Sequence, residues 1–360
     1  MQQIHFESAS VPLRPRTCNA IKTGRGQTMS NKVRWGIIST AKIAQEELLP
    51  AFRDAVNAEV TAIASSKPSA KEIAARFQIE NVYETYDALL EDPNIDAVYI
   101  PLPNSLHAEW VIKAAEKGKH VLCEKPAALT AEETAHMIEA CHRHGVIFME
   151  AFMYQFHPQH QRVREIIASG ELGELKTMKV SFSFFLEGRE SNIRTNPELG
   201  GGCLYDVGCY CVHAIRNVLG TEPERVFVSA KKDKPGGVDL SAAGFMELKN
   251  GMTALFDASM DQKQRHHYEI VGTKGSVRVN RAFLPQLTDG VSSITVETDD
   301  GASRDETIAG HQYVLQVEHF SQCVLEGLTP FYTPANTIQN MKVIDACYES
   351  IEREAFVTVD

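Results

Sequence analysis

Apolar residues fall into two regimes along this chain. From Val33 to about residue 152 they come in short continuous runs separated by helical stretches. VRWGIIS (33–39), VTAIAS (60–65), AVYIPL (97–102), HVLCEK (120–125) and residues 146–151 read as strands. Residues 43–52, 70–77, 85–90, 105–117 and 130–144 read as helices. Gly118 and Gly145 stop two of them, and Thr130 followed by Glu133 forms a capping box. Strands that are apolar throughout and alternate with helices make a parallel sheet covered on both faces. After about residue 160 the period becomes two. In KTMKVSFSFFL (176–186), Met178, Val180, Phe182, Phe184 and Leu186 alternate mainly with polar residues, which marks a half-buried strand. Further strands are expected at 225–230, 243–248, 252–259, 268–271 and 276–279, with GTKG (272–275) as a hairpin turn. Helices near 311–326 and 335–352 close the chain.

The expected fold is therefore α/β, in two parts. Residues 31–152 form a Rossmann-type parallel sheet. Residues 153–360 form an α+β domain on a largely antiparallel sheet, with one sheet face free for a contact between subunits. Residues 1–30 stand apart: Arg14, Arg16, Lys22 and Arg25 face one acid, Glu7, and neither an apolar core nor an amphipathic pattern appears. They are expected to be a disordered extension, with the folded protein beginning near Met29.

Composition narrows the class. Of 360 residues, 43% are hydrophobic and 23% charged, as in globular proteins. A net charge of −11 with both signs scattered argues against nucleic acid, and no apolar run approaches a bilayer span. The eight cysteines include no C-x-x-C pair and read as reduced thiols in a cytoplasmic protein. The histidine pairs His142/His144, His157/His160 and His266/His267 lack a matching third ligand at zinc spacing, so no metal is expected.

Candidate chemistry collects at strand ends, where open α/β sheets bind ligands. A dinucleotide-binding turn carries G-x-G-x-x-G/A after its first strand; here Ser39, Ala41 and Ala44 hold those positions, small enough for a pyrophosphate to approach. Ser39, Thr40, Ala41, Lys42 and Ile43 are accordingly the cofactor-turn candidates. The second strand ends in Ser65, Ser66 and Lys67, without the carboxylate that would bind a ribose 2′-hydroxyl. Two hydroxyls and a cation suit a 2′-phosphate, which favours NADP, with NAD as the alternative. PLPNSLH (101–107) puts Leu102, Asn104 and His107 at another strand end, where a nicotinamide ribose would pass. GGGCLYDVGCYCVH (200–213) leads three glycines into a helix with Asp206 and Tyr210 at i and i+4, on one face. A tyrosine beside a lysine can serve as acid and base, because a nearby cation lowers its pKa. Glu124, Lys125 and Pro126 end an apolar strand, an unusual place for charges unless they serve a site.

In order along the chain, GIISTAKIA, PLPNSLHAEWVIKAAEKGKHVLCEKP, FMEAFMYQFHPQ, GGGCLYDVGCY and YEIVGTKGS are similar to the glucose–fructose oxidoreductase/inositol dehydrogenase (Gfo/Idh/MocA) family. Tyrosine at 210, where inositol dehydrogenases carry histidine, resembles the xylose dehydrogenase and dihydrodiol dehydrogenase branch. The resemblance implies that Lys125 contacts the cofactor ribose and the reacting oxygen, that Glu124 orients it, and that Pro126 shapes the turn. It implies Tyr210 as proton donor and acceptor, with Asp206 fixing the helix face or touching substrate hydroxyls. Tyr154, Gln155, His157 and Arg194 become the substrate-side candidates. Gln155 departs from the arginine usual in relatives, at a position expected near the nicotinamide.

The activity expected is hydride transfer between a nicotinamide cofactor and a carbinol carbon of a sugar, polyol or dihydrodiol, in a homodimer or homotetramer joined through the C-terminal sheet. A catalytically silent cofactor-binding regulator and an NAD-dependent glycosidase are the alternatives; retention of both Lys125 and Tyr210 argues against the regulator.

Overall fold

The computed structural model describes residues 32–234 and 236–360. The extension expected at 1–30 lies outside them. The chain first alternates strand and helix, as its apolar runs demand. β1 (Val33–Ile38) leads to α1 (44–54), whose first turn, Ala44–Leu48, is wound as a π-helix before the regular Leu49–Asp54. β2 (Ala58–Ala64), α2 (Ser69–Phe77), β3 (Asn81–Tyr83) and α3 (Tyr86–Leu90) follow. β4 (Ala97–Ile100), α4 (His107–Glu116), β5 (His120–Cys123), α5 (Ala131–Arg143) and β6 (Phe148–Glu150) complete a six-stranded sheet of order β3-β2-β1-β4-β5-β6, parallel throughout. The order reverses between β1 and β4, so the cleft beyond their carboxyl ends is the place for a ligand.

Local signals place the helices. The Thr130 hydroxyl accepts the Glu133 N–H at 3.1 Å, and Glu133 reaches back to the Leu129 N–H at 3.0 Å, one residue before the usual partner of a capping box. The charged end of HVLCEK is not strand: β5 stops at Cys123. Trp35, fully buried in β1, packs on Phe52 and Phe320 and donates its indole N–H to Ser321, which ties the first sheet to a C-terminal helix.

The second half opens with α6 (Pro158–Ser169) and β7 (Leu175–Phe185). α7 (204–219) again starts as a π-turn, Leu204–Gly208, before Cys209–Leu219. Then come β8 (Pro223–Lys232), β9 (Asp239–Leu248), β10 (Thr253–Ser259), β11 (Asp261–Gly272), β12 (Gly275–Val279), β13 (Val291–Thr298) and β14 (Ser303–Ala309). α8 (Gln312–Glu326), α9 (Pro334–Arg353) and β15 (Val357–Thr358) end the chain. The nine strands run β14-β13-β12-β11-β7-β10-β9-β8-β15. All neighbours are antiparallel except β7 and β10, which pair in parallel at the centre. Their connection includes α7 and a hairpin, long enough for a crossover to reverse the chain. GTKG is the expected hairpin turn, between β11 and β12.

Ala254, Phe256 and Ala258 of β10 are buried under the helices, whereas Leu255 on the other face is 41% exposed. That face, with Lys179 and Phe245 in register with Leu255, carries no covering element among the described residues.

Candidate functional site

A cavity of about 620 Å³ opens at the switch point between β1 and β4 and runs between the two sheets. Its first wall is the β1–α1 turn. Ser39 has φ +88°, the left-handed region that a glycine enters freely, and its backbone N–H donates to Ala64 O at 2.9 Å. The Ser39 hydroxyl accepts the Ala41 N–H at 3.2 Å, so a serine makes the turn that a glycine would otherwise make. Ala41, Lys42 and Ile43 line the cavity; Ser39 and Thr40 stand just behind. Ser66 and Lys67 are exposed at the end of β2, and the Ser65 hydroxyl accepts the Lys67 N–H at 3.2 Å; these three lie beyond the cavity wall. Small residues in the first turn, a helix opening onto the cavity and the absence of a carboxylate at Ser65–Lys67 fit a dinucleotide carrying a 2′-phosphate.

The second wall is the turn after β5. Tyr99 donates its hydroxyl to Glu124 Oε1 at 2.6 Å, and Glu124 Oε2 accepts the Lys125 N–H at 3.3 Å. The peptide between Lys125 and Pro126 is cis. Lys125 Nζ donates to the Asp206 carbonyl at 2.9 Å and to Asp206 Oδ1 at 3.3 Å, and stands 5.1 Å from the centre of the Tyr210 ring. Asp206 Oδ2 accepts Arg194 Nε at 2.8 Å. Thus the first turn of α7, the loop carrying Arg194 and the end of β5 meet at one carboxylate.

Charge decides how these groups stand. Burial works to raise the Asp206 carboxyl, but Arg194 and then Lys125 outweigh it and hold it below the usual range. Burial works to lower Lys125, but Asp206 leads the acids that raise it, so the ammonium stays charged. Glu124 is raised, chiefly by burial. Tyr210 goes the opposite way from expectation. Burial, then Tyr313 and Glu124, push its phenol well above the ordinary value, and its hydroxyl points to Met153 Sδ at 3.3 Å. Lys125 lies over the ring rather than at the oxygen, and its field does not offset the desolvation.

Leu102, Asn104, Glu124, Lys125, Arg194, Asp206 and Tyr210 all reach the cavity, as sequence reasoning expected. Besides Ser39, Thr40 and Ser65–Lys67, four candidates do not. His107 is fully buried, with Nδ1 2.8 Å from Pro126 O and Nε2 2.9 Å from Leu102 O; it braces the turn from behind. Tyr154 is fully buried against His213 Nδ1 at 2.5 Å. His157 caps α6 by accepting the Gln159 N–H and faces Gly290 O at 2.9 Å. Gln155 is 3% exposed, with no protein partner for either amide atom, and is off the cavity wall. For the last three the reason is common: their stretch after β6 packs against α6 and α8.

Sequence reasoning missed the far wall. Phe182 and Phe184 of β7, Gln286 and Leu287 beyond β12, and Tyr313 of α8 complete the cavity. Only the alternation of Phe182 and Phe184 hinted at any of these, because the others come from segments brought there by the second sheet.

The β1–α1 turn, the charged end of β5 and the start of α7 surround one cavity between the two sheets, an arrangement that suits a nucleotide-dependent oxidoreductase. Residues 33–152 match the oxidoreductase family with an NAD-binding Rossmann fold, and residues 160–278 match the GFO/IDH/MocA C-terminal domain. The chain is 40% identical over 327 residues to a D-xylose 1-dehydrogenase (NADP(+)) of Haloferax volcanii, covering 91% of this chain and 99% of that one. It is 28% identical to a trans-1,2-dihydrobenzene-1,2-diol dehydrogenase of Xenopus laevis, covering 88% and 98%. Among solved structures, the 3-ketoreductase KijD10 of Actinomadura kijaniata in complex with NADP and TDP-benzene superposes with TM-score 0.84 at 32% identity, covering 89% of this chain and 98% of that one. The protein belongs to the Gfo/Idh/MocA family of oxidoreductases.

Proposed function

We propose that the protein is an NADP(H)-dependent oxidoreductase interconverting a hydroxyl and a carbonyl on a free, uncharged sugar or polyol. The observation that carries this reading is the Lys125–Asp206–Arg194 cluster facing Tyr210 on the cavity wall. Bound NADP(H) supplies or accepts the hydride. In reduction, Tyr210 gives its proton to the carbonyl oxygen as that oxygen gains negative charge, and Lys125 stabilises the charge. Asp206 keeps Lys125 charged and aimed. Oxidation is the reverse, with the hydroxyl proton returning to Tyr210. Ala41, Lys42 and Ile43 would hold the pyrophosphate end, and Ser66 and Lys67 the 2′-phosphate.

A free sugar is favoured over a nucleotide-linked one by charge. The cations on the cavity wall are Lys42, Lys125 and Arg194. Lys125 and Arg194 share one carboxylate, Asp206, so together they offer about one net positive charge, less than a substrate diphosphate calls for. The remaining substrate-side wall is phenyl, leucine and glutamine side chains. The reading also includes a homodimer or homotetramer through the open face of the second sheet and a cytoplasmic setting, which the seven free, buried cysteines among the described residues suit.

The test is steady-state turnover with NADP and NAD against free aldoses, polyols, trans-dihydrodiols and a dTDP-linked keto sugar. Turnover of a free aldose or polyol with NADP is expected. Turnover of the nucleotide sugar alone, or of none of these with cofactor bound, defeats the reading.

A further inference from the structure

Glu150, the last residue of β6, is a fully buried carboxyl that the chemistry above does not use. Its Oε1 accepts the backbone N–H of Ala127 at 2.9 Å, two residues past Lys125. Its Oε2 accepts the Tyr332 hydroxyl at 3.3 Å, from the segment leading into α9. A buried carboxyl without purpose is costly, so its partners should explain it. An ion pair is not the explanation. Arg216, the cation whose field reaches Glu150, spends its guanidinium on Glu222 at 2.5 and 2.8 Å and on Asn340. Burial pushes the Glu150 carboxyl up to about 8, so near neutral pH much of it carries a proton. What it offers is an acceptor oxygen at fixed reach. Without it the Ala127 N–H would be a buried donor with no partner.

The turn it grips is otherwise held only from other directions. Glu124 is held by Tyr99, Pro126 O is faced by His107, and the Ala127 N–H by Glu150 alone. We infer that Glu150 is a positioning residue for Lys125: its acceptor oxygen sets the depth of the 125–127 turn, and so the place of the ammonium between Asp206 and the Tyr210 ring. The Tyr332 contact anchors that oxygen to the C-terminal half, so both halves of the molecule fix the lysine. The inference rests on the reading that Lys125 acts in the chemistry.

Two conservative substitutions separate reach from charge. Glu150→Gln keeps the reach of the acceptor and loses the charge. Glu150→Asp keeps a carboxyl and withdraws it by one methylene. Both leave a polar group in place, so both are expected to fold; thermal melts and NADPH-binding stoichiometry count the folded sites, and kcat is normalised to them. Glu150→Asp should lose kcat by about 10- to 100-fold, the order a misplacement near 1 Å causes, with NADPH Kd within about threefold of wild type. Glu150→Gln should recover kcat to within about threefold. Equal losses in both, a loss confined to Gln, or no loss in Asp overturns the inference, as does a loss appearing only in NADPH Kd. If Asp does not fold, Gln still decides: a kcat loss above about tenfold there overturns it, and recovery supports it. Lys125→Met is measured alongside. If it leaves kcat intact, the reading of the site fails, whatever Glu150 does; if it abolishes turnover while Glu150→Asp does not, only the positioning role fails.

Discussion

Lys125 stands over the ring of Tyr210, and both ionisations are driven upward for different reasons: the phenol well up by burial, the ammonium up by acids, Asp206 first. Both therefore hold their protons in the free enzyme. A protonated phenol is the active form for carbonyl reduction, and a phenolate the active form for alcohol oxidation. Because kcat/KM reports the free enzyme, the reductive kcat/KM should stay flat through the ordinary phenol pKa of about 10. The oxidative kcat/KM should still be rising there. Tyr210→Phe should remove that rise and lower kcat by about 10²–10⁴-fold, the usual worth of a positioned acid or base. Lys125→Met should lose a similar factor, and the double variant less than the product, since residues acting as one unit are not additive. A phenylalanine enzyme keeping more than a tenth of wild-type kcat, with chemistry rate-limiting, removes the tyrosine from the mechanism. At this scale the sequence was half legible. The pair was visible as EKP and as D-x-x-x-Y, but the sign of the tyrosine shift was not, because desolvation depends on what covers the ring. Tyr154, Gln155 and His157 were misplaced for the same reason: a motif names residues without saying which way the chain turns after them.

At the scale of elements, the end of β2 chooses between cofactors. No carboxylate waits there, and Ser66 and Lys67 are exposed and free to meet a phosphate. NADP(H) should bind more tightly than NAD(H), and Ser66→Asp with Lys67→Ala should reverse the order by setting an anion against the 2′-phosphate. Fluorescence titration of both reduced cofactors decides it; a wild-type preference for NAD of tenfold or more would sink the assignment. Elements with strong periodicity were read well: each apolar run of the first half became a strand, and Thr130 and Gly118 act at their expected helix ends. The short β3 and β15 escaped notice, as did β13 and β14. In β14, SRDETIA, the residues are mostly polar and all half or fully exposed, as suits a sheet edge, so no apolar alternation announces it. α6 was missed as well: His157 caps it and Pro158 opens it, but in the sequence the stretch stands out only as part of a family motif.

For the whole molecule, the nine-stranded sheet buries one face under helices and, among the described residues, leaves the other open around Leu255 and Lys179, with Phe356 packed against Phe227 and Phe245. An apolar face of this kind is a surface for a partner, and a second copy paired about a twofold axis would present the same residues to itself. Light scattering should find twice or four times the chain mass. Leu255→Glu should shift the protein toward monomer at micromolar concentration, with kcat per chain within about twofold because the cavity lies on the helical side. A wild-type monomer at all concentrations disproves the assembly.

Local chemistry was enough to determine the alternation of strand and helix, the helix caps and the hairpin at 272–275, because these depend on spacing within a few residues; it marked Lys125 and the Asp206–Tyr210 pair separately, and only the family resemblance joined them. The parallel pairing of β7 with β10, the wall supplied by Gln286, Leu287 and Tyr313, the meeting of Lys125 and Arg194 on one carboxylate, and the grip of Glu150 on Ala127 were decided only in three dimensions. Each joins segments tens to hundreds of residues apart, and the packing that brings them together also sets the desolvation that tunes them.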